Sequence, residues 1–343
     1  MRRRPATLVA ALVLSGVLTS CAAPLPEPTP DAVLAEAPPA LGPDQLGRIL
    51  GDVTGVVEQA DTAALAAAAA GGDDLSGQLD QIDTGLATRL TGPAAQMRRA
   101  QYVLATQGGA DAITTVPAGA QTVIDPATTT WPRVLMVVTD PPEDLQAPLL
   151  LTLVQEAPRE QYQLWSWERL YGGVEMPATM QPDHGSAPVP VNGGPAALTP
   201  QDVIGHYVDV LTNGDASQYA GEFTQDPLRV RIAEQRDAWK AAIGKGSVTE
   251  TYTPGTTGPW ALETADGGAI VVGSVETVTT LTLVDSTLTI ADQTAALLGT
   301  NTVKKDLAIH WLSTVAFAVP PAGSTDPVTV LGAEHVPVQV TGS

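Results

Sequence analysis

The sequence predicts an α+β protein of two tandem domains, each with an N-terminal pair of helices packed on a curved antiparallel sheet. Three observations predict this class. Apolar residues repeat at helical spacing at the start of each half, the period changes to that of β-strands in the rest of each half, and a Gly/Pro-rich segment separates the halves. The predicted boundaries are residues 44–171 for the first domain, 172–199 for the linker and 200–343 for the second domain.

The first half is expected to open with an amphipathic helix over residues 44–60. Apolar residues recur there at steps of three and four, which places them on one face of a helix. They are Leu46, Ile49, Leu50, Val53, Val56, Val57 and Ala60. The alanine run over residues 66–70 ends at Gly71, a typical helix stop, and a second helix is expected after Pro93. The acid-rich residues 71–83 are interpreted as a solvated loop that enters a short helix.

Strands are expected to follow these helices. Residues 134–139, 149–155 and 161–170 are rich in β-forming residues and are separated by turn-forming segments, which predicts an antiparallel meander. In the last of these strands, simple alternation places Trp165 and Trp167 on the same face of the sheet.

The second half repeats this order of elements. Thr199 and Pro200 are typical of the N-cap and first position of a helix, and a second helix is expected within residues 223–243. Strands are predicted over residues 260–264, 269–283, 286–290, 306–319 and 328–340. The ADGG segment at residues 265–268 is a hairpin turn signal. The repeated order indicates a tandem duplication.

Opening helices followed by a curved antiparallel sheet resemble the NTF2-like family, in which helices pack into the concave side of a cone-shaped sheet. The resemblance covers each half through element order and rests on no diagnostic motif, so it implies a fold and not an activity. Some members, such as ketosteroid isomerase, are enzymes that use a carboxylate base and an oxyanion-stabilising tyrosine inside the cone. No residue of this sequence is assigned to those roles.

The N-terminus has the pattern of a secretory signal peptide, predicted for residues 1–20. Three arginines, at positions 2–4, precede an apolar run over residues 8–18, and small residues follow. The run is too short for a stable transmembrane helix, which needs about 20 residues. The segment therefore predicts export.

Leu18, Thr19, Ser20 and Cys21 resemble the lipobox of bacterial lipoproteins. The resemblance implies cleavage before Cys21 and diacylation of its thiol, which would anchor the chain at the extracytoplasmic face of the cell membrane. Two acyl chains anchor a protein stably, whereas one gives only marginal binding. Residues 21–43 contain seven prolines and no Lys or Arg, and are expected to form an extended tether that reaches roughly 60–70 Å. The layout as a whole resembles uncharacterised lipoproteins of high-GC Gram-positive bacteria.

Charge and cysteine content exclude several classes of function. The chain has 17 Lys and Arg against 37 Asp and Glu, which argues against nucleic-acid binding because that binding neutralises phosphates with basic side chains. Cys21 is the only cysteine, so disulfides and thiolate metal sites are not expected in the mature protein. The sequence predicts no cofactor and no metal site.

The candidate ligand-binding residues are aromatic and polar side chains from both halves. They are Trp165, Trp167, Tyr171, His206, Tyr207 and Asp209. The aromatic cluster of the first half is interpreted as the lining of a cone mouth or of a partner groove or, alternatively, as core filling. His206 and Asp209 lie three positions apart on one helix face, a spacing that suits half of a metal site or an acid–base pair, but no third ligand completes a set. The alternative is a surface histidine.

The sequence predicts a lipid-anchored envelope protein that binds a protein, a peptide or a small apolar ligand without catalysis. The alternative is an NTF2-like isomerase or hydrolase that uses a carboxylate and a Tyr or His inside a cone. A third hypothesis is a structural role in an assembly.

Overall fold

A computed structural model of the chain describes residues 37–42, 44–71, 74–142 and 146–343. The predicted signal peptide, Cys21 and most of the predicted tether lie outside the described residues. The described part is a mixed α+β structure whose strands form a large antiparallel sheet. The α+β class is therefore confirmed.

The helices within the described residues alternate with groups of strands. They are α1 (Gln45–Ala70), α2 (Leu75–Leu86), α3 (Gly92–Gly108), α4 (Pro200–Asn213), α5 (Pro227–Ile243) and α6 (Asp292–Leu298). The strands of the first half are β1 (Ala120–Ile124), β2 (Arg133–Thr139), β3 (Leu149–Gln155) and β4 (Gln163–Leu170). Those of the second half are β5 (Gly246–Pro254), β6 (Trp260–Glu263), β7 (Ala269–Leu283), β8 (Leu288–Thr289), β9 (Thr302–Val303), β10 (Asp306–Val319) and β11 (Thr329–Gly342).

Sequence signals for the helix ends agree with the structure. The predicted first helix and the alanine run form one continuous helix, α1, which stops before Gly71 at a φ of 62°. Thr199 is the N-cap of α4, where its side chain accepts a hydrogen bond from the amide of Asp202 at 3.2 Å. Pro200 occupies the first turn of that helix. Strands β1 and β5 and helix α6 are not predicted from the sequence.

One sheet contains strands from both halves of the chain. Its strand order is β1-β2-β3-β4-β11-β10-β7-β5, and β6 pairs with the remaining length of β7. The halves join where β4 meets β11, through the pairs Leu170↔Gly332 and Arg169↔Ala333. Because this pairing is short, little backbone hydrogen bonding connects the two halves at this point.

Four apolar clusters stabilise the described residues, and three of them lie under the helices or join the two halves. The first lies under α1, α2 and α3, and the second lies under α4 and α5. The third contains side chains from strands of both halves and packs the halves of the sheet against each other. Its members include Ile124, Val134, Met136 and Leu150 from the first half, and Ile270, Val272, Ala316 and Leu331 from the second.

The prediction that Trp165 and Trp167 share a face is wrong. The β3–β4 register shifts between Thr152 and Leu153, so β4 carries an extra residue relative to its partner strand. A bulge of this kind sends successive side chains to faces that simple alternation does not predict. Trp167 lies in the first cluster, whereas Trp165 lies in the third and packs edge-on against Trp260 with 6.3 Å between ring centroids.

Gly332 is expected to be essential to the junction between β4 and β11. A Cβ atom at this position would lie 2.8 Å from the Cα of Leu170 and closer still to the carbonyl oxygen of Arg169. Both are backbone atoms, so the strands would have to separate, and we expect Gly332→Ala to lower the free energy of unfolding by about 1–3 kcal/mol in urea denaturation. Gly172→Ala is the control, because nothing lies within 4 Å of its added Cβ. Equal stabilities for the two variants would contradict the close approach.

Candidate functional site

A groove of about 680 Å³ opens between α4 and α5 on the second half of the chain. Its walls are the C-terminal end of α4, residues 214–225 and one face of α5, and Tyr252 of β5 closes one side. A volume of this size lies in the range of pockets that bind small molecules or short peptide segments. We call it the α4–α5 groove.

Apolar side chains of the second cluster reach the surface of the groove. Val210, Leu211, Phe223 and Ile232 line it, and all four belong to the second cluster. Phe223 packs edge-on against Tyr207 with 5.4 Å between ring centroids. The floor is thus continuous with a packed core, which favours a pre-formed binding surface.

Asp226 lies next to the groove, and its carboxylate accepts three hydrogen bonds. It caps α5 by accepting the amide of Arg229 at 3.0 Å, and it also accepts Nε of the same arginine at 2.7 Å. The hydroxyl of Tyr207 donates to it at 3.1 Å from the core side. Because Arg229 also donates to the carbonyl of Thr224, its guanidinium is held in place beside the groove. These contacts fix the start of α5.

A network of side-chain hydrogen bonds lies at the opposite wall of the groove. Tyr252 donates its hydroxyl to Oε2 of Glu250 at 2.6 Å, and Nη1 of Arg236 donates to the same oxygen at 3.1 Å. Burial raises the pKa of Tyr252 well above its usual range, and its hydrogen bond to Glu250 and the charge of that carboxylate raise it further. The tyrosine therefore stays protonated, and these hydrogen bonds connect α5 to β5.

The remaining charges on the rim are negative. Among the described residues, Asp215 and Glu234 line the groove and form no ion pair. Asp237 also lines the groove and forms an exposed ion pair with Lys240 at 3.4 Å. Both lining arginines are already paired with carboxylates. The groove therefore combines an apolar floor with an acidic rim.

The comparisons with known proteins give a family and no activity. A family described as a domain of unknown function (DUF8094) matches residues 79–342. The chain belongs to this family. No curated protein and no solved structure matches the chain. The DUF8094 match begins within α2 and includes both walls of the α4–α5 groove.

His206 and Asp209, the predicted pair on α4 within the DUF8094 region, have separate partners. The His206 ring stacks on Tyr219 with 3.6 Å between centroids, and its Nδ1 lies 2.7 Å from Oε2 of Glu222. Asp209 accepts hydrogen bonds from Ser217 and from Asn213. Both residues hold the wall of the groove against α4. Across the described ranges, no cluster of three or more His, Cys, Asp or Glu side chains is arranged to hold a metal.

The aromatic candidates lie mostly inside the protein. Trp165, Trp167 and Tyr207 are 2%, 0% and 0% exposed, so they are not available to a ligand at the surface. Tyr171 is partly buried and packs against the second cluster. The structure favours the alternative interpretation, in which these side chains fill the core of the DUF8094 fold.

Glu168 and His335 are two of several buried ionisable residues of the DUF8094 region that were not among the candidates. Glu168 is fully buried beside Thr314, and burial raises its pKa to about 8, while nearby hydroxyls lower it by less. His335 stacks on Trp311, and its Nδ1 lies 2.8 Å from Oγ of Ser313. Burial lowers the pKa of His335 to about 3, so the ring is neutral at physiological pH. Neither residue lines the α4–α5 groove.

Sequence reasoning missed the groove residues because they share no motif. Val230 is the one signal that was available: it interrupts the polar face of α5, and the structure leaves it 39% exposed at the groove. Among the described residues, no helix has the length and hydrophobicity needed to cross a bilayer.

Proposed function

We propose that this protein is anchored by lipid to the extracytoplasmic face of the cell membrane and binds a ligand with an apolar body and a positive charge in the α4–α5 groove. A basic amphipathic peptide segment of an envelope protein or a small cationic apolar molecule has this chemistry. The observation that carries the proposal is the open groove of about 680 Å³, whose floor belongs to the second apolar cluster.

The acidic rim of the groove is the evidence for a positive charge on the proposed ligand. Asp215 and Glu234 have no cationic partner among the described residues. A positive group placed between them would gain Coulomb energy that an anion of the same shape would lose. The chain has 37 acidic residues against 17 basic ones, and this excess of negative charge also favours a cationic ligand. The same excess is unfavourable to nucleic-acid binding.

We further infer that the halves are tandem NTF2-like domains that share a sheet. Two features support this: each half opens with helices, and each set of helices packs over its own apolar cluster. In this interpretation, the α4–α5 groove is the mouth of the second cone. Residues 172–199 between the halves contain no helix or strand apart from isolated bridges.

The membrane anchor is proposed from the sequence pattern that ends at Cys21. With acyl chains on that thiol, the proline-rich residues 21–43 would hold the folded body away from the bilayer, where the groove is open to envelope partners.

Filling the groove is expected to weaken ligand binding strongly. Ala233 lines the groove on α5, and a tryptophan there would occupy the space over the apolar floor. We expect wild-type protein to bind the neutral apolar dye N-phenyl-naphthylamine, measured by fluorescence, and Ala233→Trp to weaken that binding about tenfold or more. The anionic dye anilinonaphthalene sulfonate should bind more weakly than the neutral one, because the rim is acidic.

Ala241→Trp is the matched control, since Ala241 is an exposed residue of the same helix that does not line the groove. It should bind the dye like the wild type. A loss of binding in both variants, or in neither, would rule out the groove as the binding site.

A further inference from the structure

A second pocket, on the first half of the chain, has the opposite charge. It has a volume of about 400 Å³ and lies between the start of α1, the first residues of β2 and the turn that connects β3 to β4. Three of its lining residues are arginines, at positions 48, 133 and 159. We call it the arginine pocket.

The charge of the arginine pocket is unusual for this chain, which has only 17 basic residues against 37 acidic ones. Within the described residues, none of Arg48, Arg133 and Arg159 forms an ion pair. Two carboxylates also line the pocket. Asp52 is already bound by a fourth arginine, Arg89, at 2.9 Å, whereas Glu160 is exposed. The balance within the pocket is therefore positive.

Buried polar groups without partners border the same pocket. Tyr162 is 6% exposed and lines the pocket, yet its hydroxyl has no hydrogen-bond partner among the described residues. The Nε of Arg133 is buried and equally unpartnered there. Burial raises the pKa of Tyr162 to about 12, which keeps its hydroxyl a donor. Both polar atoms are inaccessible to solvent, so other atoms of Tyr162 and Arg133 line the pocket.

One of the arginines is positioned by an aromatic ring. The guanidinium of Arg133 lies over the ring of Trp131, 4.2 Å from its centroid, and Nε1 of Trp131 donates to Oε1 of Gln155 at 3.2 Å. Stacking fixes the plane of a guanidinium while its edge remains able to donate hydrogen bonds. This arrangement pre-orients Arg133 for an oxyanion.

We propose that the arginine pocket binds a small organic phosphate. Guanidinium groups form bidentate hydrogen bonds with phosphate oxygens. The net charge of the three arginines and Glu160 balances the two negative charges of a phosphate monoester. Leu41 and Ile49 also line the pocket and suit a short apolar part of the ligand. The phosphate is either that of a free ester or that of a lipid headgroup, which share this chemistry.

The test uses the full chain with Cys21→Ser, so that acylation does not itself bring the protein to lipid. Glycerol phosphate is titrated at low ionic strength by calorimetry, with glycerol as the uncharged control. We expect binding by the otherwise wild-type chain and binding about tenfold weaker or more in Arg48→Ala/Arg159→Ala, whose exposed side chains can be removed without disturbing the core.

Lys245→Ala/Lys304→Ala is the matched control, because it removes the same charge from two exposed positions outside the pocket. It should bind glycerol phosphate normally. A parallel assay measures sedimentation with vesicles of phosphatidic acid in phosphatidylcholine. Arginine-dependent binding to vesicles alone would assign the site to a lipid headgroup. Absence of binding in both assays, or binding that both double variants weaken equally, would overturn the proposal.

Discussion

Cys21→Ser is expected to abolish labelling of the protein by radioactive palmitate and to move it from the membrane pellet to the soluble fraction. The expected effect is nearly complete, because the proposed acyl chains are attached through this thiol and no other cysteine exists in the chain. The described residues offer no alternative spanning helix. Two or more acyl chains give stable anchoring, and their loss should leave only the weak affinity of an acidic surface for lipid. Labelled cells and fractionated extracts measure both effects.

Ser20→Ala is the matched control for this prediction. It changes the neighbouring residue of the proposed lipobox but keeps a small side chain and leaves the thiol in place, so labelling and pelleting should persist. The lipid anchor would be disproved by an unlabelled wild-type protein, or by a Cys21→Ser variant that still pellets with the membrane.

Glu168→Gln is expected to stabilise the protein at alkaline pH. Glu168 is a fully buried residue of β4 that lies beside Thr314 of β10, and no cationic side chain pairs with it among the described residues. Burial raises its pKa from 4.5 to about 8, the hydroxyls of Ser166 and Thr314 lower it by less, and the charge of Glu334 raises it slightly. The neutral acid is the form that the fold accommodates, and glutamine has the same shape without the charge.

The sign of the pH dependence follows from the raised pKa. The folded state holds the Glu168 proton more tightly than the unfolded state, so this contribution to stability is fully present below about pH 4.5 and is lost as the pH rises to about 8. The loss is on the order of 5 kcal/mol. Thermal unfolding at several pH values should show the wild type losing stability across this interval relative to Glu168→Gln.

Glu156→Gln is the control for Glu168→Gln, because Glu156 is exposed and should follow the wild-type curve. Parallel pH profiles for the wild type and Glu168→Gln would show that the Glu168 carboxyl is already solvated, which would contradict its burial between the strands.

Elements with strong local signals could be predicted from the sequence. Strands β3, β7 and β10 have the predicted bounds, because long apolar or alternating runs end there at turn residues. The start of α4 was also predicted, since the capping of its amides by Thr199 is a local interaction.

Features that depend on tertiary contacts could not be predicted. β5 has the polar sequence GSVTETYTP and becomes a strand through its pairing with β7. The bulge in β4 separates Trp165 from Trp167, and its register is set by β3. The arginine pocket assembles side chains from positions as far apart as 48 and 159, and the α4–α5 groove depends on how two helices are spaced over a shared sheet.

The most direct test of the central claim, in its form that the α4–α5 groove binds a peptide segment of an envelope protein, is photo-crosslinking in living cells. A photoreactive amino acid is placed at Val230 in the groove or at Val191 outside it, positions that are both 39% exposed. The account predicts a discrete crosslinked species from position 230 alone, and its loss when Ala233→Trp fills the groove. Crosslinks of equal yield from both positions, or from neither, would contradict it.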